Sequence, residues 1–313
     1  MMSRILPALA LLAVLMTARP LTAADKPLVV ASFYPLYEFS RQVAGDHADV
    51  VSLVPMGVEP HDWEPSPQDV IRVQKAKLFV YNGAGLEPWV EKLLRDAKAR
   101  GAAVVRATER VALISGDRPG HEHTHAPKTG APPQGGRHAV DPHVWLDPVH
   151  AQAQVEAIRA GLAKIDPANA PAYAANAQAY RAKLAALDAA FASGLKQCAR
   201  REFVTTHSAF SYLARRYGLT QIPIQGVERE SEPSPADLAT LVKQVRDRKV
   251  QYVFFETLGS AKLAETLARE VGAKTLVLNP IEGLTTEEQA AGQSYVSLME
   301  ANLRNLRTAL DCQ

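Results

Sequence analysis

Short apolar runs alternate with longer stretches of helical periodicity along most of the chain. Residues 28–32 (LVVAS) form a continuous apolar run after Pro27, the mark of a buried strand. A helix is predicted over 35–44, because proline suits the first helical turn. Further strands are predicted over 50–54, 78–81 (LFVY) and 102–106, with helices starting at Pro67 and spanning 87–98. Strands and helices in alternation at this spacing predict βαβ units and a mainly parallel sheet. The rhythm stops at 115–140 (SGDRPGHEHTHAPKTGAPPQGGRHAV), which is rich in Gly, Pro and His. Without apolar periodicity such a segment builds no core and is expected to be mobile.

Two helices are predicted next, over 148–165 and over an Ala-rich run at 167–196. In the second, Tyr173, Tyr180, Leu184, Leu187 and Phe191 recur at spacings of 7, 4, 3 and 4, which places them on one face. At roughly 1.5 Å per residue it would be about 40 Å long, enough to run along two lobes. The first pattern then restarts. Strands are predicted over 202–206, 219–224, 250–256 and 274–278. Helices are predicted over 208–217, 235–247 and 260–271, with one final helix over 287–310. Gly218 and Gly272 end two of them. The fold class is therefore α/β, with two lobes of about four strands each. The N-terminal lobe covers 25–165, a linker helix 166–198 and the C-terminal lobe 199–313. No clear sequence repeat relates the lobes.

Several residues with metal-ligand chemistry fall at strand ends, where open α/β sheets place their ligand crevice. His61 lies in the Pro-rich loop after the second strand (MGVEPHDWEPSP). His207 directly follows EFVTT. Glu282 follows the strand ending TLVL, in Asn279-Pro280-Ile281-Glu282-Gly283-Leu284. His143 sits between the lobes in DPHVWLDP, held between two X-Pro turns that restrict its backbone. Three neutral imidazoles and one carboxylate make a tetrahedral N/O set that suits Zn²⁺, whereas Mn²⁺ prefers more oxygen. Asp147 and Glu228 are candidates to accept the second ring N–H of these histidines. Trp63 and Trp145 either shield the site or pack in the core.

Composition narrows the class. The 313 residues suffice for about two domains, and the 47% apolar content is ordinary for a globular chain. Arg4, the apolar run at 5–16 and the small residues Ala23-Ala24 read as a cleaved signal peptide over 1–24. No Cys follows that run, so no lipid anchor is expected there. Loss of residues 1–24 removes Arg4 and Arg19, leaving 33 basic against 33 acidic residues. A balanced chain gives no reason to expect nucleic acid or an anionic membrane as partner. The expectation is an exported, unanchored monomer. In an oxidising compartment Cys198 and Cys312 are candidates for a disulfide, with two free thiols as the alternative.

The segments VVASFYPLYEFSRQVAGD, GVEPHDWEPSPQDV, DPHVWLDP, TTHSAFSYLARRYGL and LNPIEGLT carry a resemblance that covers nearly all of the mature chain. In this order they resemble the metal-binding proteins of bacterial zinc and manganese ABC importers (cluster A-I), most of all the zinc-uptake ZnuA/AdcA branch. The resemblance implies the TroA/ZnuA-like fold with a rigid connecting helix and little lobe movement. It implies that His61, His143 and His207 bind the metal. Manganese-type members place an Asp where this chain has Asn279. The chain instead matches members with a Glu in the NP-(L/I)-E-G-L turn, pointing to Glu282 as fourth ligand, with Glu59 or water as alternatives. Many zinc members also carry a His- and acid-rich loop, here His121, Glu122, His123, His125 and His138, with an accessory metal-collecting role.

These readings predict a periplasmic Zn²⁺-binding protein that serves the permease and ATPase of an ABC importer. A zinc chaperone, an adhesin or a manganese receptor on the same scaffold is the alternative. A secreted zinc enzyme is disfavoured: four protein ligands leave no open position for water.

Overall fold

A computed structural model describes residues 25–115, 140–225 and 235–313. The predicted signal peptide, His121, Glu122, His123, His125, His138 and Glu228 lie outside them. The N-terminal lobe runs β1 (Leu28–Ala31), α1 (Tyr34–Ala44), β2 (Asp49–Ser52), α2 (Pro67–Lys75), β3 (Leu78–Tyr81), α3 (Val90–Ala99), β4 (Ala103–Arg106) and α4 (Pro148–Ile165). After α5 (Ala170–Gly194) comes the C-terminal lobe. It contains β5 (Glu202–Thr205), α6 (Ser211–Tyr217), β6 (Thr220–Pro223), α7 (Pro235–Asp247), β7 (Tyr252–Phe255), α8 (Lys262–Val271), β8 (Lys274–Val277), α9 (Thr286–Ala290) and α10 (Tyr295–Leu310). Each lobe has one four-stranded sheet, ordered β2-β1-β3-β4 and β6-β5-β7-β8. Every strand pair within the two sheets is parallel. The two lobes thus share a topology that no sequence repeat announced.

The buried stripe of α5 is Tyr173, Ala177, Tyr180, Leu184, Leu187 and Phe191, the face its periodicity predicts. Its 25 residues span about 37 Å at the helical rise. Burying each large apolar side chain on that stripe contributes roughly 1.5–3 kcal/mol. The stripe belongs to one continuous core that includes Val29 and Phe33 of the first lobe and Phe203, Tyr295 and Leu306 of the second. A core shared this way resists hinge bending, because separating the lobes would expose its middle. The close fit extends to Gly161 of α4, where an added Cβ would meet Val105 of β4 at 2.6 Å.

Several helix boundaries differ from prediction, and four of them stand out. The single helix expected over 287–310 is two helices, α9 and α10. Gly292 turns the chain with φ 65° between them, and Ser294 caps α10 by accepting the Ser297 N–H. The helix expected from residue 87 begins at Val90, because the Glu87 carboxylate is engaged in a turn. It accepts from the Ser32 hydroxyl at 2.7 Å and from the Asn82 and Gly83 amides at 2.7 and 2.9 Å. The helix expected from 208 begins at Ser211. The residues before it are tied down through the His207 carbonyl, which accepts from Thr205 Oγ1 and Gln221 Nε2, both at 2.8 Å. The long run at 167–196 opens with a single tight turn, Pro167–Asn169, before α5 proper. Cys198 and Cys312 form a disulfide that ties the C-terminus to the segment entering the second lobe. Among the described residues no helix is long and apolar enough to cross a membrane.

Candidate metal centre

Parallel strands send their carboxyl ends to the same side of each sheet, and the loops leaving those ends converge between the lobes. His61 comes from the loop after β2, His207 from the residues just after β5, and Glu282 from the turn after β8. His143 comes from the crossing segment before α4. These four side chains meet, with one ligand atom from each lying within 4.8 Å of all the others.

The spacing is that of a coordination shell. Nε2 of His61 is 3.3 Å from Nε2 of His143 and 3.3 Å from Oε1 of Glu282. Nε2 of His143 is 3.1 Å from the same carboxylate oxygen and 3.5 Å from Nε2 of His207. His207 Nε2 and Glu282 Oε1 are 4.0 Å apart. Four ligands bonded tetrahedrally at zinc distances would be separated by about 3.3 Å. His143 and His207 have no solvent exposure and Glu282 is 1% exposed, whereas His61 keeps some contact with solvent. The site is therefore buried on three sides and open beside His61.

Tautomers follow from the outer hydrogen bonds. Asp141 Oδ1 accepts the ring Nδ1–H of His143 at 2.8 Å and its backbone N–H at 2.9 Å. His207 donates its Nδ1–H to Glu256 in a short contact. Both rings are thereby fixed with Nε2 lone pairs turned into the cage, and the carboxylates raise their basicity. Two imidazole lone pairs and a carboxylate, with Nε2 of His61 beside them, make a cage suited to a cation. In the metal-free protein a proton serves on His143. Burial opposes it, but the Asp141 and Glu282 carboxylates outweigh burial and push that imidazole up to about 9. Glu282 moves the opposite way. Burial disfavours its charge, yet His61, His143 and His207 hold its carboxyl well below the usual range.

All four predicted ligands converge, and the described residues that form this group do not include Glu59. Asn279 does not join them either; its side chain bonds within the Glu282 turn and to Glu288. The expectation for Asp147 is corrected. Its carboxylate caps α4 through the Val149 N–H at 2.8 Å and lies 3.4 Å from Arg216, turned to those partners and not to His61, His143 or His207. Asp141 and Glu256 take that role instead. Glu256 directly follows β7, so the strand-end rule that singled out the ligands would also have found it. Asp141 was visible as an acid two residues before His143. Trp145 is fully buried, with its ring 5.2 Å from that of His143, while Trp63 packs on Trp89.

Comparisons with known proteins give the family of the chain. The family model for periplasmic zinc-uptake complex component A (ZnuA) matches residues 29–309. The high-affinity zinc uptake system protein ZnuA of Bacillus subtilis is 44% identical over 91% of this chain and 88% of its own. The zinc-binding lipoprotein AdcA of Streptococcus pneumoniae is 43% identical over 90% of this chain, which spans only 56% of AdcA. The crystal structure of the Zn(II)-bound ZnuA-like domain of that AdcA superposes with a TM-score of 0.76. It is 43% identical and covers 91% of this chain and 99% of the domain.

Proposed function

This chain belongs to the periplasmic zinc-uptake component A (ZnuA) family, and on that premise we propose that it captures one Zn²⁺ between its lobes and hands it to an ABC-type permease with its ATPase. His61, His143, His207 and Glu282 hold the ion. The observation that carries this reading is the spacing of those four ligand atoms, close to the edges of a zinc tetrahedron and drawn from both lobes. Zn²⁺ is cargo here. The donor set leaves no fourth position open for water, so the site is suited to holding an ion and not to hydrolysis.

In this reading residues 25–165 and 199–313 are the two functional lobes, with 166–198 the spacer that fixes them. The shared core favours ion exchange by local movement of the loop carrying His61, the ligand that touches solvent. His121, His123, His125 and His138 serve as a transient collecting segment. The family is extracytoplasmic, and we assign this chain to the periplasm through a cleaved leader.

Metal analysis of protein purified from its native compartment, with anomalous diffraction at the zinc edge, tests the reading. One zinc bound by these four side chains is expected. Manganese in its place, or zinc located elsewhere, would refute it. Deletion of residues 117–138 should lower the total metal bound and leave the tight site intact.

A further inference from the structure

Glu282 reaches the metal site from an unusual piece of backbone. The residue before it, Ile281, has φ 59°. That is the left-handed region, which a β-branched side chain adopts only under strain. Among the described residues, three other non-glycine positions share a positive φ, Ala84, Lys249 and Asp311. None of them is β-branched and none adjoins a ligand of the proposed site. Ile281 is fully buried, so it cannot relax toward solvent.

The surroundings over-determine this conformation. Asn279 Oδ1 accepts the Ile281 N–H at 2.7 Å. The Asn279 backbone is clamped in turn by one side chain of α10: its N–H donates to Asn302 Oδ1 at 2.8 Å, and its carbonyl accepts from Asn302 Nδ2 at 2.7 Å. Asn279 Nδ2 donates to Glu288 of α9 at 2.9 Å. From the other side, Trp145 Nε1 donates to the Pro280 carbonyl at 2.7 Å, and Tyr295 of α10 donates its hydroxyl to the Trp145 carbonyl. Trp145 is two residues from His143, so one indole ties the His143 segment to the Glu282 turn.

We propose that Asn279 is a positioning residue for metal capture: its side-chain oxygen holds Ile281 in the strained conformation that aims the Glu282 carboxylate at the three imidazoles. This rests on Glu282 being a ligand. Without the Asn279 bond, Ile281 relaxes to a negative φ and the carboxylate swings off the cage. Strain of this size corresponds to a roughly ten- to hundredfold loss of Zn²⁺ affinity. Glycine at 281 adopts the left-handed region without penalty, so it makes the Asn279 bond dispensable.

The test is a cycle of N279A, I281G and N279A/I281G in the full chain, with Zn²⁺ affinity read by chelator competition and geometry by the ligand-field absorption of bound Co²⁺. N279A is expected to weaken Zn²⁺ by about ten- to hundredfold and alter the Co²⁺ spectrum. I281G should stay within about threefold of the natural chain, and the double variant within about threefold of I281G. A double variant as weak as N279A overturns the proposal. E282Q separates the two ideas. If it binds Zn²⁺ as tightly as the natural chain, the ligand assignment fails and this inference with it; if E282Q is weak and N279A is not, this inference alone fails. Amide exchange in the natural zinc-free protein gives a reading independent of how the variants fold. Protection of the Ile281 N–H without metal supports the assignment, whereas protection that appears only with Zn²⁺ overturns it.

Discussion

Replacing Asp141 with Asn should cost little Zn²⁺ affinity near pH 7 and much more near pH 9. Asp141 does two opposed things through one oxygen. By accepting the Nδ1–H of His143 at 2.8 Å it makes that imidazole a better zinc ligand. A carboxylate in this position is worth about ten- to a hundredfold in affinity, or about 1.4–2.7 kcal/mol. The same carboxylate, with Glu282, outweighs burial and holds a proton on His143 up to about 9 in the metal-free protein. Zinc must displace that proton, which near pH 7 costs about a decade per pH unit, or about a hundredfold. Asn keeps the shape and loses the charge. The His143 proton then leaves at lower pH, because burial now weighs more, although Glu282 preserves part of the shift. Near neutrality the weaker ligand and the relieved proton competition largely offset each other. Near pH 9 the natural protein has little competing proton, so the variant shows its full deficit. Chelator-buffered Zn²⁺ titrations of both proteins at the two pH values measure this. The deficit should be about tenfold larger at the higher pH; an equal deficit at both, or a larger one near pH 7, would refute the reasoning.

Stability without metal should run the other way with pH. His143 has its folded pKa raised from 6.5 to about 9, so its contribution is full below 6.5 and is lost as pH rises through about 9. The loss is about 3 kcal/mol at most, and scanning calorimetry should show the metal-free Tm falling across that window while the zinc-loaded Tm does not. Glu282→Ala should weaken Zn²⁺ far more than Glu59→Ala in the same competition assay, and the reverse order would reassign the fourth ligand. Cys198→Ser removes a bridge spanning 114 residues, which stabilises by about 2–4 kcal/mol. Its Tm should drop while Zn²⁺ affinity stays within about threefold, because the bridge ties the chain at the amino-terminal side of β5 and His207 leaves the carboxyl end.

Several residues show where sequence reading reaches and where it stops. The buried stripe of α5 was legible because helical periodicity is a local property, written in the spacing from Tyr173 to Phe191. His61, His207 and Glu282 were legible because parallel α/β topology sends the residue after a strand to a known edge. Asp141 and Glu256 were passed over in favour of Asp147 and Glu228. A hydrogen-bond acceptor is chosen by distance and angle across the fold, and acidic residues near a histidine in sequence are common. The break between α9 and α10 turned on Gly292 and the Ser294 cap, signals weaker than the helical residues on either side.

Sequence alone determined the alternation of strands and helices, the long helix between the lobes and the four side chains with the chemistry to hold zinc. Each of these depends on residue type and short-range order. Only the tertiary structure decided that the four ligand atoms stand within one cage, which carboxylates turn the imidazoles, and that Ile281 is held against its preference beside Glu282. The cage requires residues as far as 221 positions apart to be placed to within a few tenths of an ångström. Packing of the shared core sets such distances, and no stretch of the chain encodes them by itself.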